Sequence, residues 1–348
     1  MSNGFSLGIM QAHTVTFPAS MPNLRQWDSA RARRVLCASL RARLGELGYE
    51  EVETPVLVPQ PGMEPHLNAF EVDFASEMDS RPPSTLYLHT SPEYAMKRLL
   101  ADGAGAIFQI CKVFRNGELS DAHNPEFSML EFYRSGADYH RIMEDLEQLL
   151  ARAETALNGA AQCFRQVPYQ RLAFRDALHD VAGIDLGRCL DVPALREQAR
   201  RLATSISPGS GFEDVVLQLF VQKVEQKLGW NRPTFLIEYP APMASLARLK
   251  PEDPSVAERF ELYVRGRELA NGFSELTDAD EQRRRLLQEQ SQRRLAGRPA
   301  YSLDERFLDA VSRLPPCAGV AVGLDRVLMT LLQVDRIQDV LLFPAHLF

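Results

Sequence analysis

The sequence predicts an α+β protein, and three observations carry that prediction. Apolar residues recur at helical spacing within several charged segments, the first from Arg31 to Leu47. Runs rich in β-branched and aromatic residues turn back through polar connections, as in the hairpin pattern from Arg259 to Phe273. At 348 residues and 45% hydrophobic, the chain can bury one large core or two modest ones.

A formal net charge of -7 disfavours a generic nucleic-acid binder, which neutralises phosphates with a basic surface. The five cysteines, Cys37, Cys111, Cys163, Cys189 and Cys317, are scattered and form no CxxC pair, so neither a disulfide framework nor a zinc site is expected. Met1-Ser2-Asn3-Gly4 leads into no basic segment followed by an apolar run, and no stretch is apolar enough to span a bilayer. The expectation is a cytoplasmic protein with no membrane partner.

In chain order, Leu36, Leu40, Leu44 and Leu47 share one helical face with arginines between them, and Gly48 follows as a C-terminal cap. Val52, Thr54, Val56 and Val58 alternate around Pro55, which predicts a strand at a sheet edge or dimer boundary, because proline cannot donate to a ladder. Ser76 to Ser84, with Pro82-Pro83, reads as a loop. Ile107 to Phe114 is apolar on both alternating faces and predicts a central strand covered on both sides. After the polar loop Asn116 to Glu126 the chain returns through Phe127 to Tyr133. There a period of two puts Phe127, Met129, Glu131 and Tyr133 on one face and Ser128, Leu130 and Phe132 on the other.

Tyr139 to Leu157 is predicted helical, with Ile142, Leu146, Leu149 and Ala153 inward. Residues 191–229 carry two further helical stretches around the turn Ser207 to Gly211, a helical insertion beside the sheet. Phe235 to Tyr239 is a short strand, the following hairpin turns near Arg265-Gly266, and Asp280 to Leu295 is a charged helix. Ser302 and Glu305 form a candidate capping box for the next helix. Gly319 to Gly323 is a glycine-punctuated strand running into the helix Leu324 to Leu332, with Asp325 and Arg326 in its first turn. Such a junction allows a ligand close to the backbone and offers free amides to an anion.

Three separated segments carry chemistry: Phe114-Arg115-Asn116 with His123-Asn124-Pro125-Glu126-Phe127, then Glu261 to Glu275, then Gly323-Leu324-Asp325-Arg326. Taken singly, each residue is an ordinary loop, hairpin or core residue. Their order and wording together resemble motifs 2 and 3 of the class II aminoacyl-tRNA synthetases, and Tyr49 to Pro59 resembles motif 1. Ser91-Pro92-Glu93, Glu131-x-Tyr133 and Glu268 to Glu275 look like the lysyl branch, and Leu342-Phe343-Pro344 closes a match that begins near Trp27. No P-loop GxxxxGK[ST] or class I synthetase signature competes with it. The resemblance implies the class II core, a mainly antiparallel sheet flanked by helices, over residues 27–348, with residues 1–26 as an N-terminal extension and motif 1 at a homodimer interface.

It also implies roles. Activating an amino acid means its carboxylate attacks the α-phosphate of ATP, so the site must offset charge on phosphate oxygens. By resemblance Arg115 is the α-phosphate clamp and Arg326 the arginine at the adenine and γ-phosphate end, each with a guanidinium fork suited to phosphate. Phe127 stacks on adenine, His123 reaches the terminal phosphates, and Asn116, Asn124, Leu269 and Gly323 complete the nucleotide site. Gly117 stands where the family commonly has an adenine-reading glutamate, and Glu118 is the candidate substitute. Glu261 and Glu268, on the two hairpin arms, suit Mg2+ bridging ATP phosphates. Ser91, Pro92, Glu93, Glu131, Tyr133, Asn271, Glu275 and Ala321 are left for the amino acid. A lysine-like substrate has an ammonium at each end of the pocket, and Glu93 is expected at one, Glu131, Tyr133 and Glu275 at the other. Glu268 and Asn271 have opposite strand parity, so a β-bulge is predicted at Asn271-Gly272.

Lysyl-tRNA synthetases carry an anticodon-reading β-barrel ahead of this core, whereas only about 26 residues precede the start of the match here. Ala321 stands where the tRNA-charging enzymes usually have glycine. Both features resemble the bacterial synthetase paralogues that move lysine or (R)-β-lysine onto a lysine of elongation factor P, which makes that factor the expected partner and tRNA an unexpected one. The alternatives are a minimal tRNA-charging enzyme and a non-catalytic regulatory paralogue. The latter would be expected to have lost Arg115 or Arg326, and both are present.

Overall fold

The leucine stripe of the first predicted helix forms α1, Leu24–Glu46, and Leu36, Leu40 and Leu44 are almost wholly removed from solvent. The computed structural model describes residues 24–75, 84–157, 161–187 and 191–347. Most of the expected N-terminal extension, the loop 76–83 and Cys189 lie outside the described residues.

Pro55 divides the predicted strand from Val52 to Val58. Only β1, Glu50–Glu51, and β2, Leu57–Val58, are strand, and they join different sheets. The missing proline N–H, with ordinary backbone on either side, lets the chain cross between layers there. Next come β3 (Phe70–Phe74), β4 (Ser84–Leu88), α2 (Glu93–Ala101), β5 (Ala106–Phe114), β6 (Glu126–Ser135) and α3 (Tyr139–Ala156). The following stretch holds β7 (Gln170–Ala173), α4 (Phe174–Ala182), α5 (Val192–Arg201) and α6 (Phe212–Lys223). The chain ends through β8 (Thr234–Pro240), β9 (Leu249–Lys250), β10 (Asp253–Val264), β11 (Arg267–Ser274), α7 (Ala279–Leu295), α8 (Glu305–Val311), β12 (Cys317–Gly323) and α9 (Leu324–Leu332).

The main sheet runs β1-β5-β6-β12-β11-β10-β8-β7, with β9 on β10, and a small sheet pairs β2, β4 and β3. All main-sheet pairs are antiparallel except the two at its ends, β1 with β5 and β7 with β8. The class is therefore α+β. β5 lies second from one end rather than at the centre, and its Lys112 is exposed, because β1 is too short to cover its far half. α1, α3 and α9 pack on one face over Phe132, Val320, Val322 and Phe260. α5 and α6, from the segment 191–229, form a second core with α4 against Leu236, Tyr239 and Tyr263. No helix among the described residues is long and apolar enough to cross a membrane.

Two local expectations shift. The cap of α8 is Asp304, whose carboxylate accepts from the Arg306 and Phe307 amides, while Glu305 pairs outward with Arg283. Ser302 stands two residues ahead of that cap and does not serve as it. The β10–β11 turn does fall at Arg265-Gly266, both at positive φ, but the register slips between Leu262 and Tyr263, opposite Ala270 and Glu268. The bulged residue is Leu269, not Asn271-Gly272. The consequence for facing is the one expected, since an extra residue between Glu268 and Asn271 brings both to the same side.

Candidate active site

On the face of the main sheet away from α1, α3 and α9, one register row runs across four strands. Glu131 on β6 opposes Ala321 on β12, Ala321 opposes Asn271 on β11, and Asn271 opposes Glu261 on β10. The next row aligns Tyr133, Gly319, Phe273 and Arg259. Cross-strand partners point to the same side, so residues far apart in sequence meet over a cavity of about 380 Å³, a size typical of small-molecule sites at roughly 300–1,000 Å³. Gly319 is needed by a neighbour rather than by a ligand: a Cβ there would stand 2.1 Å from the Tyr133 ring.

The cavity wall includes Ser91, Glu93, Arg115, Glu118, His123, Asn124, Phe127, Glu131, Tyr133, Glu268, Leu269, Asn271, Glu275, Ala321, Gly323 and Arg326. These are all of the expected site residues except three. Pro92 caps the start of α2, Asn116 bonds through its backbone amide to the Asn68 carbonyl, and Glu261 sits behind the wall.

At the nucleotide end, the Arg115 guanidinium lies 5.0 Å from the centre of the Phe127 ring and 3.9 Å from Glu118. Its Nε is buried without a hydrogen-bond partner, an unspent donor of the kind a phosphate oxygen satisfies. Arg326 reaches His123 Nε2 at 2.7 Å and the Glu268 carbonyl at 2.9 Å. Burial and the Arg326 charge hold His123 below its ordinary pKa, so the ring is a neutral partner at pH 7. Asn124 is structural here: its side chain donates to the Glu126 carbonyl and accepts from the Ala345 amide, pinning the loop to the C-terminal segment. Asp325 plays a similar part, accepting from Ser128 N at 2.7 Å and pairing with Arg33.

Glu268 faces the cavity. Burial and the nearby Glu261 push it up to about 7, against the pull of Arg326, whose guanidinium lies 3.5 Å from its carboxylate. Glu261 takes bonds from Arg259 Nη2 at 2.7 Å and Tyr263 Oη at 2.6 Å. Each oxygen keeps a second lone pair, so the pair suits a hard divalent cation, which Glu268, the member that lines the cavity, would meet first.

The amino-acid end differs from expectation in one respect. Two of its carboxylates, Glu93 and Glu275, assigned to different ends of the substrate, share a lysine of the protein. Lys97 Nζ is 2.5 Å from both Glu93 Oε1 and Glu275 Oε2, and its side chain is 1% exposed. It also lies 5.2 Å from the centre of the Phe273 ring. Glu131 accepts from Ser91 Oγ at 2.5 Å and Tyr133 Oη at 2.9 Å. Neither Glu275 oxygen has an aligned hydrogen-bond donor, although the residue is 1% exposed. With all three ionised, three carboxylates and one ammonium leave two net negative charges in a buried place, a state that cationic groups of a ligand would stabilise; without them, burial pushes Glu131 and Glu275 each up to about 8. Lys97 was legible in principle, because it stands four residues after Glu93 on α2, the spacing of a helical ion pair.

Burial, then the Glu93 charge, push Glu131 up to about 8. Binding an ammonium needs the ionised form, so affinity for a lysine-like amino acid should rise between pH 6 and 8 with proton release, and level off above. The sign for folding is opposite. A carboxyl raised above its unfolded value stabilises fully below about 4.5, and that contribution is lost as pH rises through about 8. Titration calorimetry in two buffers of different ionisation enthalpy checks the release; uptake of protons at pH 7 would contradict it.

The chain matches the family described as tRNA synthetases class II (D, K and N) over residues 21–347. It is 41% identical over 330 residues to proteins of Salmonella paratyphi B, Salmonella schwarzengrund and Salmonella agona named "Elongation factor P--(R)-beta-lysine ligase", a match that covers 94% of this chain and 96% of each relative. With the sheet order, the arginine pair and the carboxylate cluster in place, this match establishes that the chain belongs to the class II tRNA synthetase family.

Proposed function

We propose that this protein is an AMP-forming ligase that activates lysine or (R)-β-lysine with ATP and transfers it to a lysine side chain of elongation factor P. The observation that carries the substrate class is the excess of two negative charges around Lys97, Glu93, Glu131 and Glu275. A lysine-like aminoacyl group carries two ammoniums once its carboxylate is bound to AMP, and so balances that excess.

In this reading Arg115 grips the α-phosphate, Phe127 and Arg326 hold the adenine and triphosphate ends, and Glu93, Glu131 and Glu275 orient the amino acid so that its carboxylate faces the phosphorus. Mg2+ held by Glu268, with Glu261 behind it, would supply charge neutralisation on the phosphates. Elongation factor P as acceptor is supported by the names of the relatives and by the acidic net charge, which supplies no broad surface for tRNA. Enzyme, ATP and labelled lysine or β-lysine are incubated with purified elongation factor P in one tube and bulk tRNA in another. Label is expected in the protein; label in tRNA alone would establish a minimal tRNA-charging enzyme instead.

The active unit is a homodimer in this proposal. Supporting it, Trp27 on α1 is 48% exposed and Leu57 on the edge strand β2 is 39% exposed, both in or beside the motif 1 region. Sedimentation should give twice the chain mass at micromolar concentration, and a monomer there would count against it.

A further inference from the structure

Glu64 lines the same cavity, and adenylate formation gives it no task. Its carboxylate lies over Gly62, where a Cβ would come within 2.4 Å of Oε2, so the glycine leaves the room it occupies. That oxygen is buried and has no hydrogen-bond partner. The backbone beneath is held in place, since Arg293 Nη1 donates to the Glu64 carbonyl at 2.7 Å and Arg293 is itself wholly buried.

The position of Glu64 in the reaction follows from its neighbours. It feels the charges of both Glu93 and Arg115. In the functional reading Glu93 faces an ammonium of the amino acid and Arg115 holds the α-phosphate, so the carbonyl carbon of the mixed anhydride lies between them. Glu64, with its unused oxygen, shares one cavity wall with both, on the lining that an arriving nucleophile would meet.

That nucleophile is an amine, and a lysine side chain has an unperturbed pKa of about 10.4. At neutral pH it reaches the adenylate protonated, without the lone pair that attack requires. We propose that Glu64 is the general base of the transfer step, taking the proton from the acceptor ammonium. The proposal rests on the amine-acceptor reading above. One N–H bond of the ammonium breaks as its proton passes to a Glu64 oxygen. The freed lone pair forms the N–C bond at the carbonyl carbon, the C–O bond to phosphate breaks, and AMP leaves with that electron pair. The second proton leaves the nitrogen for solvent as the amide forms.

The surroundings favour a carboxylate that accepts protons readily. Facing it are Glu93 and Tyr94 from α2, Arg115 at the end of β5, and Glu289 and Arg293 from α7, with Arg285 beside Glu289. Burial first, then Glu93, raise the Glu64 carboxyl above its ordinary range. Glu289 is pushed up to about 8 by burial and by Glu64. A carboxyl raised above its ordinary range takes a proton from an ammonium more readily than an exposed one does.

The test compares two nucleophiles on the full-length enzyme with ATP and the amino acid. Hydroxylamine is neutral at pH 7 and needs no base, whereas the lysine of elongation factor P does. Glu64→Gln should slow transfer to the protein by about 100-fold more than transfer to hydroxylamine. The deficit should shrink as pH approaches that of the free amine, and Glu64→Asp should recover part of the rate. An equal loss with both nucleophiles would overturn the proposal, because it would mean that Glu64 holds the substrate or the fold, and so would a protein-transfer rate matching the parent. If the parent itself exchanges pyrophosphate but transfers nothing to elongation factor P, the functional reading falls and the proposal with it.

Discussion

Replacing Arg115 by alanine should slow adenylate formation by roughly 100-fold or more, a loss of about 3 kcal/mol of transition-state stabilisation. The structure explains why the effect should be large and confined to chemistry. Arg115 is held from its backbone, where its amide donates to the Pro125 carbonyl at 2.8 Å, and from the ring of Phe127 beneath it. Its ion-pair partner among the described residues, Glu118, stands at 3.9 Å, too long for a hydrogen bond, and its Nε is buried without an acceptor. Removing such a group costs the fold little, because no strong native bond is lost, and costs the reaction the donors that meet charge developing on the α-phosphate. Arg115→Lys should recover only part of the rate, since an ammonium replaces the planar fork with a point charge. ATP/pyrophosphate exchange measures this step alone, and near-normal exchange by the alanine variant would remove Arg115 from the role.

How much of this site was legible in the sequence depends on whether a side chain's direction is set locally. The face shared by Phe127, Met129, Glu131 and Tyr133 follows from a period of two, and all four line the cavity. The turn at Arg265-Gly266 and the passage of Gly323 into α9 follow from residues adjacent in the chain. Family wording placed Arg115 and Arg326 at one cavity with Glu93 and Glu275, although 211 residues separate Arg115 from Arg326. What escaped depends on contacts between elements. Parity demanded a bulge between Glu268 and Asn271 but not its place, and Leu269 bulges because the opposite register slips at Leu262 and Tyr263. Pro55 was visible as a strand breaker, yet the sheet each fragment joins is decided by β5 and β4. Glu64 stands in a segment without regular periodicity, where sequence offers no direction at all.

The carboxylate cluster yields the second large effect, and its geometry ranks two substitutions that chemistry alone treats as equal. Glu131 is bonded by two neutral hydroxyls, those of Ser91 and Tyr133, so no cation of the protein neutralises it at contact distance. Glu275 already shares Lys97 with Glu93. A ligand ammonium therefore depends more on Glu131, and Glu131→Gln should weaken binding of a lysine-like amino acid by about 2–4 kcal/mol, on the order of 30- to 1,000-fold. Glu275→Gln should weaken it less, about 10-fold, but lower the thermal midpoint more, because it leaves a fully buried ammonium with one partner instead of two. Lys97→Met separates the two effects: it removes the internal cation, leaves Glu93 and Glu275 facing each other, and should raise the pH at which the pocket ionises. Amino-acid KM in pyrophosphate exchange and melting temperature, taken together for all three variants, decide the matter. If Glu131→Gln binds lysine and β-lysine as well as the parent does, the ammonium is held elsewhere, and the charge excess around Lys97 belongs to the fold rather than to recognition.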